Sequence, residues 1–217
     1  MFGKMLTKNY QLLEREIAST FSRRFTKFGP QPEASLWFSE GRQRARFSVI
    51  ADIICERIQN RKVSICDIGC GYGGFLKFLQ NEHNNIDFEY TGYDLADNLI
   101  EFCDRKMSSK NARFMQGSRP VELMDFSIMS GTYNYAPQTT VTDWRSYFRS
   151  ELESIFAKTK KCLILNLMIA DLPRISKSGI FYEELNDFKV FCEERLGAVT
   201  TYDHVLLKNE KTFCITR

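Results

Sequence analysis

The feature that most constrains the fold is a run of glycines directly after an apolar segment. Residues 63–66 read Val-Ser-Ile-Cys, and the loop that follows has glycine at positions 69, 71, 73 and 74. Because glycine lacks a Cβ atom, a strand can turn sharply there and its backbone can approach a bound molecule closely. The helix predicted to begin at Gly73 has unpaired N–H groups at its start. The pattern predicts a strand–loop–helix unit whose loop binds a small molecule.

Short apolar runs alternate with amphipathic segments over the rest of the chain. We predict helices at 73–80, 98–106, 144–157 and 184–195, and strands at 63–66, 88–93, 112–115, 126–130, 162–168, 199–206 and 211–215. Strands separated by helices indicate βαβ units and a parallel sheet, so the predicted fold class is α/β. The last two strands have no helix between them, which predicts an antiparallel hairpin.

Two further helices precede the first strand. Apolar residues at helical spacing predict them over 9–27 and 39–59, with Ser39 as a cap, and the prolines and glycine of 28–32 separate them. We expect residues 1–62 to form a helical lid or appendage and residues 63–217 to form the ligand-binding domain. The first 62 residues hold 12 Lys and Arg against 6 Asp and Glu, which fits either a solvated helix face or a basic patch.

Asp94 ends the second predicted strand, and Asp67 ends the first. Ligands of open α/β sheets lie at the carboxyl ends of the strands, so the loop and Asp94 should face one crevice, where the carboxylate can hold ribose hydroxyls. Gly69, Gly71 and Gly74 also fit a dinucleotide fingerprint, which leaves a nicotinamide oxidoreductase as an alternative. A carboxylate at Asp67 favours a cationic sulfonium ligand over a pyrophosphate. The residues after the fifth strand are too few for a second catalytic domain.

The segment 65–73, Ile-Cys-Asp-Ile-Gly-Cys-Gly-Tyr-Gly, resembles motif I of the class I S-adenosylmethionine-dependent methyltransferases, and Tyr93-Asp94 resembles their acidic motif. The resemblance covers residues 63–217. It implies a Rossmann-like, mostly parallel seven-stranded sheet of order 3-2-1-4-5-7-6, with the last strand antiparallel and helices on both faces. More loosely, a small-molecule subgroup from bacterial polysaccharide and secondary-metabolite gene clusters is similar at Phe28-Gly29, Trp37, Gln43, Arg46-Phe47 and 130–134.

The resemblance implies S-adenosylmethionine as the cofactor and assigns roles around it. Gly69 and Gly71 would lie against the methionine part, Asp67 would orient its amino group, and Asp94 would bind the ribose. The acid that the family often has after the third strand is missing here. Arg46, on the lid, could pair with the cofactor carboxylate. Gln116 or Ser118 would take the contact of the missing acid. The other predicted cofactor-binding residues also lie in the loops after the strands: Cys70, Gly73, Leu95, Gly117 and Ser130.

The acceptor is expected beside the segment after the fourth strand. Tyr133 and Asn134 could shape a methyl-transfer channel, and His204 is the candidate general base because its ordinary pKa lies near neutrality. Two histidines and no CxxC pair predict no metal site. We predict O- or N-methylation of a small-molecule acceptor. A non-catalytic cofactor-binding module and an RNA or protein methyltransferase that uses the basic helices are the alternatives.

Composition bounds the setting of this activity. Seven cysteines without a pairing pattern favour free thiols in a reducing compartment. The net charge of +3 is too small to indicate a nucleic-acid partner, and we expect none. No apolar run suits a leader or a membrane span, which predicts a soluble, cytoplasmic protein. We expect a monomer or homodimer with no membrane partner.

Overall fold

The structure is a computed structural model. It describes residues 2–36, 39–58 and 62–217, with side chains from Tyr10 onward, so Trp37 of the subgroup pattern lies outside the described residues. The described helices are α1 Phe2–Phe28, α2 Glu40–Cys55, α3 Gly74–Glu82, α4 Asp97–Met107, α5 Val141–Ala157 and α6 Leu185–Arg195. The described strands are β1 Val63–Ile68, β2 Phe88–Asp94, β3 Ala112–Gln116, β4 Met124–Met129, β5 Thr159–Met168, β6 Arg174–Ile175, β7 Phe181–Tyr182, β8 Ala198–Tyr202 and β9 Glu210–Thr216.

Seven of these strands form one sheet in the order β3-β2-β1-β4-β5-β9-β8. Strands β1 to β5 pair in parallel, whereas β9 is antiparallel to both β5 and β8. When only the strands of this sheet are numbered, the order is the predicted 3-2-1-4-5-7-6. The predicted fold class and the closing antiparallel hairpin are therefore confirmed.

Side chains alternate between two cores, one on each face of the sheet. On β1, Ile65 belongs to the core under α2, α3 and α4, and Cys66 belongs to the core under α5 and α6. On β5, Ile164 faces the first core and Leu163 faces the second. This two-residue period is what a strand covered by helices on both sides requires.

The N-terminal helices lie against this sheet. Ser39 caps α2 by accepting from the Arg42 N–H at 3.4 Å, and Ile50, Ile53 and Ile54 of α2 are fully buried in the first core. Helix α1 reaches the other side, where Glu14 accepts from the Tyr147 hydroxyl at 3.3 Å. The division into a lid at 1–62 and a domain at 63–217 stays a prediction.

Two details differ from the sequence-based prediction. The hairpin of β6 and β7 is missed because two-residue strands are too short to show a period of two. Strand β8 ends at Tyr202 instead of residue 206, because the chain turns there and Asn209 takes a left-handed φ of 59°.

All seven cysteines are free thiols. Within the described ranges, no helix has the length and apolar character needed to cross a membrane.

Candidate active site

The glycine loop folds back onto the end of β2. Gly69, Gly71 and Gly73 have φ values of 73°, 56° and 78°, a region that side chains other than glycine rarely occupy. The N–H groups of Gly69 and Cys70 both donate to the Tyr93 carbonyl, at 2.7 and 2.9 Å. The loop is thereby fixed beside the last residue of β2, which is Asp94.

Asp94 connects the loop to the following helix. Its Oδ2 accepts from the Gly71 N–H and its Oδ1 accepts from the Ala96 N–H, each at 2.9 Å. Burial raises the pKa of this carboxyl above its ordinary value, and the backbone N–H groups of Ala96 and Gly71 oppose that rise. Each oxygen has a second lone pair, so a carboxylate here can still accept from two ligand hydroxyls.

A cavity of about 710 Å³ opens above the loop. We call it the cofactor cavity; the space counted includes solvent at its mouth. Eight of the predicted site residues line it: Gly69, Gly71, Asp94, Leu95, Gly117, Ser118, Ser130 and Tyr133. Residues that follow four different strands therefore meet in one place, as the carboxyl-edge rule predicts.

Four other predicted residues lie close to the loop but do not line this cavity. Cys70 is buried, with its Sγ 3.8 Å from the Gly71 carbonyl. Its side-chain interaction with Cys103, and then its burial, raise the pKa of its thiol. Gly73 caps α3. Gln116 donates to the Leu95 carbonyl at 3.2 Å. The fourth, Asp67, has a distinct environment.

Asp67 is buried and turns towards the neighbouring strand. Its Oδ2 accepts from the Tyr90 hydroxyl at 2.5 Å. Burial raises the pKa of the carboxyl from 3.8 to about 7, the Tyr90 hydrogen bond opposes this rise, and the charge of Asp94 adds to it. In the ligand-free protein, Asp67 is thus protonated below neutrality, and a cationic ligand group nearby would favour its ionised form.

We expect the ligand-free protein to lose stability as the pH rises from about 4 to about 7, because the unfolded chain releases the Asp67 proton before the folded chain does. Asp67→Asn removes the titrating carboxyl and keeps an acceptor for the Tyr90 hydroxyl. At pH 8 the variant should be more stable than the wild type by up to about 4 kcal/mol, with no gain near pH 4. Urea unfolding across this pH range measures the effect. The exposed Asp52→Asn is the control, and equal pH curves for wild type and Asp67→Asn would contradict the prediction.

Gly69 packs against Thr132, which comes after β4. A Cβ at Gly69 would lie 2.8 Å from Thr132 side-chain atoms, and the Thr132 hydroxyl is held by the Ile68 carbonyl at 2.5 Å. Gly29 has a similar φ of 68° with nothing within 4 Å of such a Cβ. Gly69→Ala should therefore lower the free energy of unfolding by about 1–3 kcal/mol more than Gly29→Ala does. Equal urea midpoints for the two variants would show that Thr132 makes no steric demand.

A second cavity, of about 870 Å³, adjoins the first. We call it the side cavity. Phe21, Ser35 and Gly131 line both cavities. Asn134, predicted to shape the transfer channel, lies in the side cavity and is only 4% exposed.

Arg46 also lines the side cavity rather than the cofactor cavity. Its Nε and Nη2 donate to the two carboxylate oxygens of Glu210 on β9, and both side chains are almost fully buried. The predicted contact between Arg46 and a cofactor carboxylate therefore has no support from this placement. The guanidinium instead links α2 to the last strand.

The two remaining catalytic candidates differ in position. Tyr133 packs among Trp144, Tyr147 and Phe148, and burial raises the pKa of its hydroxyl well above the ordinary value. His204 lies in the turn after β8, where its Nδ1 accepts from the Leu206 N–H at 3.1 Å. It lines neither the cofactor cavity nor the side cavity, so its role as a base has no support from this placement.

Four of the cofactor-cavity lining residues that sequence reasoning missed come from helices α1 and α5. Ile17 and Phe21 of α1 lie over it, and Trp144 and Tyr147 of α5 form its inner wall. All four belong to helical apolar stripes, and such stripes look the same whether they face a core or a cavity. The position of α5 directly after the 132–134 turn is the one signal that could have indicated Trp144.

Sequence comparison finds methyltransferases over parts of the chain. The Mycobacterium tuberculosis protein named "Putative methyltransferase Rv1506c" is 26% identical over 106 residues, which are 48% of this chain and 63% of that protein. The chain thus spans less than two thirds of this relative. A tRNA (guanine-N(7)-)-methyltransferase of Clostridium botulinum is 32% identical over 63 residues, 29% of this chain and 28% of that enzyme. No family model matches the chain.

Solved structures match over most of the chain. Magnesium protoporphyrin IX methyltransferase from Synechocystis PCC 6803 with bound SAH (S-adenosylhomocysteine) has a TM-score of 0.68 at 13% identity, covering 95% of this chain and 99% of that one. The amino pentose methyltransferase CalS10 of Micromonospora echinaspora, with bound S-adenosylmethionine, has a TM-score of 0.59 at 11% identity, covering 81% and 92%. The sequence matches and the structural neighbours confirm the resemblance, and the chain has the Rossmann-like fold of the class I S-adenosylmethionine-dependent methyltransferases.

Proposed function

We propose that the chain is an S-adenosylmethionine-dependent methyltransferase that acts on a small-molecule acceptor at oxygen or nitrogen. The observation that carries this proposal is the pair of adjoining cavities at the carboxyl edge of the sheet. One lies over the glycine loop and Asp94, and the other holds Asn134. A non-catalytic binding module needs only the first, whereas an enzyme that transfers a group needs room for a second molecule beside it.

The cofactor cavity has chemistry suited to S-adenosylmethionine. The Asp94 carboxylate would hold the ribose hydroxyls, and Ile68, Leu95 and Leu99 give an apolar surface for a base. Ser118 at the end of the cavity stands where the family often has an acid. The faces of Phe21 and Tyr133 favour a cationic sulfonium nearby. Bound S-adenosylmethionine supplies an activated methyl group.

The chain itself contributes position and exclusion of water. Ile17 and Phe21 cover the cofactor cavity from α1, which keeps solvent away from the reacting atoms. Asn134 would orient the acceptor. Apart from Asp94, no Asp, Glu or His among the described residues lines either cavity. The proposal therefore favours an acceptor whose attacking atom needs no protein base, such as an amine lone pair or an oxygen that is already ionised.

The basic N-terminal helices give little support to an RNA acceptor. Arg44 pairs with Glu82, Arg46 pairs with Glu210, and Arg24 donates to the Glu33 carbonyl. Arg44 and Arg46 thus have ion-pair partners and Arg24 has a carbonyl acceptor within the protein, so these three cations are not free to bind phosphates. The small-molecule acceptor is the proposal that the two cavities favour.

Calorimetry tests the function most directly. S-adenosylmethionine, S-adenosylhomocysteine and NAD are titrated separately into the full chain. We expect one binding site for each adenosyl ligand and no heat from NAD. Saturable NAD binding without adenosyl binding would overturn the proposal in favour of an oxidoreductase. If the adenosyl ligands bind, release of S-adenosylhomocysteine in the presence of metabolite mixtures separates an enzyme from a binding module.

A further inference from the structure

We propose that the side cavity is the acceptor subsite and that it selects a small molecule carrying one carboxylate on an apolar, ring-shaped body. This inference rests on the proposed function, because it assigns the second substrate of the same reaction. Four observations carry it: an unpartnered donor, the charge of the cavity wall, the aromatic lining and the wall shared with the cofactor cavity.

The donor is the side-chain amide of Asn134. Its Oδ1 accepts from the Met168 N–H at 3.0 Å, which fixes the orientation of the amide. Its Nδ2 is buried and has no hydrogen-bond partner among the described residues. A buried N–H group without a partner is costly, and this group can only donate. A ligand whose acceptor oxygen reaches this amide would satisfy it.

The charge of the wall is positive by one unit. Arg42 and Arg46 are the charged side chains that line the cavity in the described part of the chain, and Glu210 lies behind them. Glu210 accepts from Arg46 through both oxygens, whereas Arg42 is 3.8 Å from Glu210 and 44% exposed. That distance is too long for a hydrogen bond. The Arg42 guanidinium is therefore available to a ligand carboxylate, and a monoanion matches the wall better than a dianionic phosphate.

The rest of the lining is apolar and aromatic. Tyr135, Tyr182, Met168 and Ile180 face the cavity. The Phe21 and Tyr135 rings pack edge to face with centroids 5.6 Å apart. The guanidinium of Arg174 stacks over the Tyr182 ring at 3.9 Å, which holds that ring in place. Flat rigid walls of this kind suit a planar ring.

The side cavity also shares a wall with the cofactor cavity. Phe21, Ser35 and Gly131 line both cavities, so a molecule in the side cavity touches the wall of the cofactor cavity. Asn134 follows Gly131 by one short turn, Thr132–Asn134. An acceptor held by Asn134 and Arg42 would thus extend to the boundary across which a methyl group has to move.

The test compares three probes that share a benzyl group and differ in the charge of the head group: phenylacetate, phenylacetamide and benzyl phosphate. Each is titrated by ligand-observed NMR into the full chain saturated with S-adenosylhomocysteine. We expect phenylacetate to bind at least about tenfold more tightly than the other two, because it alone gives Arg42 one matched charge. Arg42→Gln should remove this preference. Arg44→Gln, the same change on the same helix but directed at Glu82, should keep it.

A second variant tests the amide. Asn134→Asp replaces the donor with an acceptor of nearly the same shape and should weaken phenylacetate binding about tenfold or more. Its thermal midpoint and its S-adenosylhomocysteine affinity show whether it is folded. Equal binding of phenylacetate and phenylacetamide, tighter binding of benzyl phosphate, no binding of any probe, or an intact preference in Arg42→Gln would each overturn the inference. Failure of S-adenosylhomocysteine to bind the wild type would instead overturn the proposed function.

Discussion

Replacing Asp94 with alanine should weaken S-adenosylhomocysteine binding by about a hundredfold or more, since hydrogen bonds to a charged group contribute about 1.5–3 kcal/mol each. Two effects act together. The carboxylate would no longer accept from the ribose hydroxyls. The Gly71 and Ala96 N–H groups would also lose the acceptor that positions the loop. Isothermal titration of wild type and variant measures the change.

Matched variants separate these two effects. Asp94→Asn keeps one acceptor oxygen, so it should bind more weakly than the wild type and more tightly than Asp94→Ala. Asp97→Ala removes an exposed carboxylate three residues further on and should bind as the wild type does. If Asp94→Ala kept its affinity while its thermal midpoint was unchanged, the ribose assignment would be wrong.

The position of Asp94 on the cofactor cavity was predictable because it depends on local order along the chain. A strand, a glycine loop, a helix and a second strand that ends in an acid place these groups at one sheet edge whatever the rest of the chain does. The same rule placed Gly117, Ser118 and Ser130 on the cofactor cavity. The strand order came from the family resemblance, whereas the apolar runs joined by helices predicted only the α/β class and the parallel sheet.

The positions of Arg46 and His204 could not be predicted from local order in this way. Arg46 was given to the cofactor because a helix face beside a crevice suggests it, but its partner Glu210 is 164 residues away and no local pattern indicates the pair. His204 was chosen for the chemistry of its imidazole alone. Its Nδ1 accepts from the Leu206 N–H within the turn after β8, and the side chain lines neither cavity. Charge pairing across a fold has no sequence period, which is why the position of Arg46 could not be predicted in advance.

The pair of Arg46 and Glu210 leads to the second large effect. Glu210→Ala should lower the free energy of unfolding by about 3–5 kcal/mol, because it leaves a buried guanidinium without its counter-charge. The side chains of Arg46 and Glu210 are 1% and 0% exposed. Burial lowers the pKa of the Arg46 guanidinium, and the hydrogen bond and charge of the Glu210 carboxylate oppose this lowering. Urea unfolding of the ligand-free protein measures the loss.

The chain contains a matched control two residues away on the same helix. Arg44 also pairs with a glutamate through both nitrogens, but the side chains of Arg44 and Glu82 are 61% and 29% exposed. Glu82→Ala should therefore cost only about 0–1 kcal/mol, since solvent screens the charge that remains. The double variant Arg46→Met with Glu210→Leu removes both buried charges and should recover most of the stability lost in Glu210→Ala. If Glu210→Ala cost no more than Glu82→Ala, burial would not be what makes this pair important, and the link from α2 to β9 would be held by apolar packing alone.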